Sequence, residues 1–246
     1  MTGVQTCALP ICNLFDFDPS KHMVEYENLE EIDKWILHKL GTSSGIILKA
    51  YDRYEFHVVY HELQRFCIVD LSSVYMDVQK DLLYTYYANS TKRRSSQTAM
   101  YKVLSDLTAL SAPILTFTAD EVWRFIPGIL HESVHLSRFP EVAYVNNDLD
   151  AKWNKMVEVR DEILKALEIA RGEKLIRSSL EAGVEIYAEP ELLLFISHNL
   201  EQIRVLSIVS HIGLLTEPPD ALDFIQKSTE LDGLVLRIIK APGEKC

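Results

Sequence analysis

Three groups of residues carry types and spacings that could do chemistry. His57 and His61 stand at i, i+4, so one helix face would present both imidazoles, which is one way of holding a metal. No HExxH frame surrounds them and no acid lies between, so a packing or surface role is the better reading. The cations are more informative. Lys92-Arg93-Arg94 opens a helical stretch, where positive charge opposes the helix dipole and so calls for a reason. From Ala151 to Ser178 seven basic residues (Lys152, Lys155, Arg160, Lys165, Arg171, Lys174, Arg177) face five acidic ones. Two readings stand open: a solvated helix face, or phosphate contact along a nucleic-acid backbone. For the second, the candidates are Lys92, Arg93, Arg94, Arg160, Arg171 and Lys174. Cys246 follows a Pro242-Gly turn, as the first ligand of a zinc knuckle would, but one cysteine cannot hold a zinc. No catalytic constellation emerges, and no glycine-rich phosphate loop follows a strand.

The elements that must position these residues are mostly helical. Glycine and proline are 9 each in 246 residues, few enough to favour long helices. Ile32, Trp35, Ile36 and Leu40 mark one apolar face from about Leu29, with Gly41 and Gly45 predicting a kink or a close helix contact. Phe56, Val59, Tyr60, Leu63, Phe66 and Cys67 begin a second stripe that runs on towards Leu82. Ser90 or Thr91 caps a third helix bearing Met100, Val103, Leu104, Leu107 and Leu110. Thr118-Ala-Asp-Glu121 reads as a capping box opening a short helix. Trp153 to Leu167 forms a fifth. An antiparallel bundle is the economical way to cover five such stripes. Past Arg171 the pattern changes: Val184–Tyr187 alternates, while Val205–Ile208 and Leu234–Ile239 are short, β-branched runs, with a helix-like stretch over Glu191–Leu200. The fold class is therefore mainly α, an antiparallel helical bundle over 13–175 followed by a small α+β module over 176–246.

Charge narrows the function. The 25 basic and 36 acidic residues leave a net −11, so any grip on nucleic acid must come from a local face rather than bulk charge. No apolar run reaches the length of a membrane span, and four irregularly spaced cysteines suit a reducing, cytoplasmic setting. Met1–Ile11 resembles an in-frame translation of a sequencing-library adapter, so residues 1–12 are read as a non-native leader.

Several pieces resemble, in order, the anticodon-binding domain of bacterial isoleucyl-tRNA synthetases, class I enzymes. They are Asp33-Lys-Trp-Ile-Leu-His-Lys39, Phe66-Cys-Ile-Val-Asp-Leu-Ser-Ser-Val-Tyr-Met-Asp77, Arg93-Arg-Ser-Ser-Gln-Thr98, Ala112-Pro-Ile-Leu-Thr-Phe-Thr-Ala-Asp-Glu-Val-Trp123, Glu132-Ser-Val-His-Leu136, Lys174-Leu-Ile-Arg-Ser-Ser-Leu-Glu-Ala182 and Gly243-Glu-Lys-Cys246. The match covers Asn13 to Cys246. Arg177 departs from it, standing where the family usually has glycine before the serines. The resemblance implies a tRNA-binding piece of a longer, monomeric ligase, with the catalytic and editing domains upstream. It further implies isoleucine tRNA as partner, ATP with magnesium as cofactors of the parent only, and a zinc module of which Cys246 would be the first ligand. An acidic helical scaffold for protein partners, without any RNA role, is the alternative.

Overall fold

The computed structural model describes residues 13–129, 131–219 and 224–241. The leader read at residues 1–12 and Cys246 lie outside the described residues. The chain divides into two compact units, residues 1–150 and 151–246.

In the first unit, a lead-in with one helical turn at Pro19–His22 is followed by helix α1, Glu31–Asp52. Trp35, Ile36, Leu37, Leu40, Ile47 and Ala50 are all buried on α1, so the apolar stripe seen in the sequence faces neighbours on more than one side. α2, Phe56–Arg65, packs on α1 and contributes Val59 and Leu63. The chain then continues without a break into a π-helical segment, Phe66–Met76, and from there into α3, Asp77–Thr85. The sequence predicts one uninterrupted stripe here, and the difference has a physical basis. A π-helix bonds i to i+5 and so has roughly four to five residues per turn. Phe66, then Asp70 and Leu71, then Val74 and Tyr75 are the buried positions, at that wider spacing. Ser73 Oγ donates to the Ile68 carbonyl five residues back, at 2.6 Å.

Helix α4, Thr91–Ser111, starts where Ser90 accepts a hydrogen bond from the Arg93 N–H at 3.2 Å. It packs Met100, Val103, Leu104 and Leu110 into the same core as α1. α5, Thr116–Trp123, begins two residues before the expected Thr118 cap and has no side-chain cap. Thr118 therefore lies inside the helix rather than at its cap, so the anticipated Thr118–Glu121 capping box does not form, while Asp120 accepts from Ser133 Oγ (2.5 Å) and Arg124 (2.6 Å). Gly41 proves to be a close-approach position, against backbone rather than a helix. A Cβ there would sit 2.1 Å from the Ala143 carbonyl oxygen, because the chain around Val142–Asn146 lies on α1. The contact is fastened by the Asn146 N–H, which donates to His38 Nδ1 at 2.8 Å.

α6, Asn147–Gly172, leads into the second unit, burying Trp153, Met156, Val159, Ile163, Ala166, Leu167 and Ala170 along one stripe. The sequence pattern assigns this helix to a first domain ending at 175. The compact division instead falls at 150, because α6 is tied to later parts of the chain. Arg160 Nε donates to the Leu206 carbonyl (2.9 Å) and Lys165 Nζ to Glu230 (2.6 Å). Then come β1 (Ala182–Tyr187), α7 (Pro190–His198), α8 (Leu200–Ser207), β2 (His211–Leu214), β3 (Ile225–Lys227) and β4 (Val235–Lys240). The four-stranded sheet has the order β2-β1-β4-β3; β1 and β2 are parallel, while β1–β4 and β3–β4 are antiparallel. Val184 and Ile186 of β1 oppose Ile238 and Leu236 of β4, and all four are buried. Val205–Ile208, anticipated as a strand, is the end of α8: Ile203 and Leu206 are buried at helical spacing, and Ile208 closes the helix at φ 53°.

Candidate nucleic-acid interface

The start of α4 is where the sequence placed its cation cluster, and the structure separates the three residues. Lys92 is exposed. Arg93 is 5% exposed, and its guanidinium meets the Asp16 carboxylate through both terminal nitrogens, at 2.6 and 3.0 Å. It also donates to the carbonyls of Leu83 and Ala88. Arg94 is buried beside it, donating to Gln97 (2.7 Å), Asn89 (2.9 Å) and the Asp16 carbonyl (3.0 Å). Burial raises the Asp16 carboxyl, but hydrogen bonds from Arg93 and Gln97 outweigh it and hold the group below the usual carboxylate range. A bidentate, charge-assisted pair of this kind fixes two chain segments. Arg93 and Arg94 thus fasten the lead-in to α4, and both guanidiniums expected at phosphates are engaged by protein partners here.

The neighbouring residues form a second polar knot around Asp33, which is fully buried. Its carboxylate accepts from Tyr75 Oη (2.6 Å), Gln79 Nε2 (3.1 Å) and Ser95 Oγ (2.5 Å). Ser95 Oγ in turn accepts from the Glu30 N–H at 2.8 Å, which satisfies the uncapped start of α1. Burial pushes the Asp33 carboxyl up to about 6, against the pull of the bonds from Ser95 and Tyr75. Three of the ordered sequence pieces, those containing Asp33, Tyr75 and Ser95, therefore meet at one point. Two more meet at Asp120–Ser133, next to which Trp123 Nε1 donates to the His131 carbonyl at 3.1 Å.

The remaining candidates lie on α6. Arg160 is 6% exposed and bonded to the Leu206 carbonyl and to Asp161. Arg171 and Lys174 are exposed at the C-terminal end of the helix, where cations complement the dipole. Arg171 pairs with Glu168 at 2.5 Å, and Lys174 takes φ 62° as the chain leaves the helix. His57 and His61 are both exposed on α2, and no cluster of three metal-ligating side chains occurs among the described residues. No helix among them is long and apolar enough to cross a membrane.

A feature that the sequence did not single out lies at the other end of α4. Tyr51, near the end of α1, stacks on Phe139 with centroids 5.4 Å apart and planes at 20°. Its hydroxyl donates to the Leu110 carbonyl at 2.8 Å, and burial pushes that phenol up to about 12. Phe56 meets Tyr51 edge-on, and Tyr54 meets Phe56 the same way. Tyr54 is 80% exposed and holds φ 57°, a left-handed conformation unusual for a side chain of this size. Phe139 also lines a pocket of about 160 Å³ with Ala109, Ala112, Pro113, Val134 and Arg138. The usable signal was Tyr51-x-x-Tyr54-x-Phe56, three rings in six residues at a helix boundary; helical periodicity says nothing about a turn.

Ordered sequence pieces are thus gathered into buried polar knots within the helical unit, and the second unit is built on a small mixed sheet. Residues 33–186 match the family described as the anticodon-binding domain of tRNA ligase, and the chain belongs to that family. The relatives narrow the type further. An isoleucine–tRNA ligase of Moorella thermoacetica is 40% identical over 98% of this chain, and one of Desulfitobacterium hafniense is 42% identical over 96%. A third, of Geobacter sulfurreducens, is 41% identical over 98%. The chain spans about a quarter of the length of these relatives, 26% in each case.

Proposed function

We propose that the chain is the anticodon-side tRNA-binding part of an isoleucine–tRNA ligase, with isoleucine tRNA as its partner. The observation that carries this reading is the identity of about 40% extending over nearly the whole chain to ligases of that one specificity. In this reading the helical unit is an antiparallel bundle that presents exposed cations and aromatic rings to RNA. Lys92, Arg171 and Lys174 contact phosphates, and the fixed rings read unstacked bases. The longer parent, a cytoplasmic monomer, attaches isoleucine using ATP with magnesium in domains outside this chain. Its zinc module would begin at Cys246, which would be the first ligand.

Filter binding at low salt tests the reading. Isoleucine tRNA should be retained in preference to an equally charged polyanion, and retention should fall steeply with salt. Equal retention of both would refute it. ATP–pyrophosphate exchange dependent on isoleucine should be absent from this chain alone; detectable exchange would show a catalytic function that this reading does not contain.

A further inference from the structure

The pocket beside Phe139 has the features of a receptor for a single flat ring. At about 160 Å³ it is smaller than the ~300 Å³ at which drug-sized ligand sites begin. Its walls are apolar on one side, Ala109, Ala112 and Pro113 at the end of α4, and aromatic at Phe139. Phe139 is not free to swing. Tyr51 stacks on it, and Tyr51 is itself pinned through its hydroxyl to the Leu110 carbonyl. A ring held in advance loses little side-chain freedom when another ring stacks on it. Phe139 is 45% exposed, and the row continues outward through Phe56 at 51% and Tyr54 at 80%.

The charges around this row are mixed, since Arg53 shares its turn with Asp52 and Glu55, but the cation at the pocket itself is Arg138. Arg138 lines the pocket, and Arg53 sits in the turn between Tyr51 and Tyr54; among the described residues neither has an ion-pair partner. Elsewhere the arginines Arg65, Arg124 and Arg171 are each engaged by a carboxylate. Uncommitted cations interleaved with exposed rings are the pattern by which proteins hold single-stranded nucleic acid, the base on the ring and the phosphate at the guanidinium.

We propose that this pocket receives one unstacked base of a single-stranded RNA loop, stacked against Phe139, with Arg138 at the adjoining phosphate. This rests on the tRNA reading above and gives it a location: the end of the helical unit formed by the α1–α2 turn, the end of α4 and the segment Val134–Phe139. It is distinct from the Lys92 end.

The experiment uses the whole chain and an isoleucine-tRNA anticodon hairpin carrying 2-aminopurine at single loop positions. One loop position should be quenched on binding, as stacking on an aromatic ring requires. Phe139→Leu, which keeps an apolar side chain, should weaken hairpin binding about 5- to 150-fold, the range for loss of one stacked base. Phe139→Tyr should bind as the parent chain does. Arg138→Ala should weaken binding and flatten its salt dependence. If the parent chain binds the hairpin but Phe139→Leu binds equally and no position is quenched, the pocket assignment fails while the tRNA reading stands. If the parent chain binds no hairpin, both fail. Should Phe139→Leu not fold, as judged by its urea transition, the quenching and Arg138→Ala decide alone.

Discussion

Replacing Asp33 with alanine removes the acceptor at the centre of the knot that joins α1, the π segment and α4. Three buried donors, Tyr75 Oη, Gln79 Nε2 and Ser95 Oγ, then lose this acceptor, and Tyr75 keeps only the Ser96 carbonyl at 3.4 Å. Each stranded donor costs about 1–3 kcal/mol, so the gross loss is about 6 kcal/mol. Against this stands the relief of no longer burying a carboxylate whose proton is held up to about 6 from an ordinary 3.8. That relief amounts to about 3 kcal/mol at neutral pH, since each pKa unit is worth about 1.4. The net cost at pH 7 is therefore about 3 kcal/mol, which should lower the urea midpoint by about 1–2 M. The sign of the pH dependence comes from the raised value. Between pH 4 and 6 the folded chain keeps a proton on Asp33 that the unfolded chain has lost, so the stability due to that proton is present at low pH. It is lost as pH rises through about 6. The gap between the parent chain and Asp33→Ala should accordingly widen by about 2 kcal/mol from pH 7 to pH 4. Urea titrations of both chains at several pH values provide the assay. A gap that stays flat with pH, or a cost below about 1 kcal/mol at pH 7, would refute this account of the knot.

Arg93→Ala and Lys92→Ala, one residue apart, should behave oppositely. The first should destabilise by about 2–4 kcal/mol in thermal or urea unfolding, because it removes the bidentate partner of Asp16, leaving it Gln97 and the more distant Arg94, and takes a donor from two carbonyls. The second should leave unfolding unchanged and reduce the salt slope of tRNA binding by about 1, read by filter binding at several salt concentrations. Gly41→Ala should cost about 1–3 kcal/mol and make the Val142–Asn146 stretch more sensitive to protease, since the new methyl and the Ala143 carbonyl cannot share one place. Arg160→Ala should lower the melting temperature through loss of its bond to the Leu206 carbonyl while leaving the salt slope unaltered.

The helices were legible in the sequence because burial on a helix face leaves a periodic trace. Trp35, Ile36 and Leu40, or Met100, Val103, Leu104 and Leu107, are such traces, and the helices lie where those residues fall. Strands of three or four residues, such as Ile225–Lys227, are too short to leave one. Val205–Ile208 misled because β-branched residues also end helices. The site was harder to read for a different reason. A cation looks the same in sequence whether it faces water or a buried carboxylate, and what decides between them for Arg93 is Asp16, 77 positions away. For Arg160 it is a carbonyl 46 positions on. The family pieces were recognisable as words, but that Asp33, Tyr75 and Ser95 converge on one point is a fact of three dimensions.

The wide-turned stretch at Phe66–Met76 has a consequence for how this module can change. In an ordinary helix each residue advances the chain by about 100°, and a π turn advances it by less. Eleven residues wound this way set the angular phase between α2 and α3, so that Leu63 and Tyr75 can both face inward. Losing or gaining a single residue there would act as a gear slipping a tooth, turning Tyr75 and Gln79 away from Asp33 together. Chain length in this stretch is thus a mechanical constant of the module, and substitutions can accumulate along it more readily than insertions or deletions.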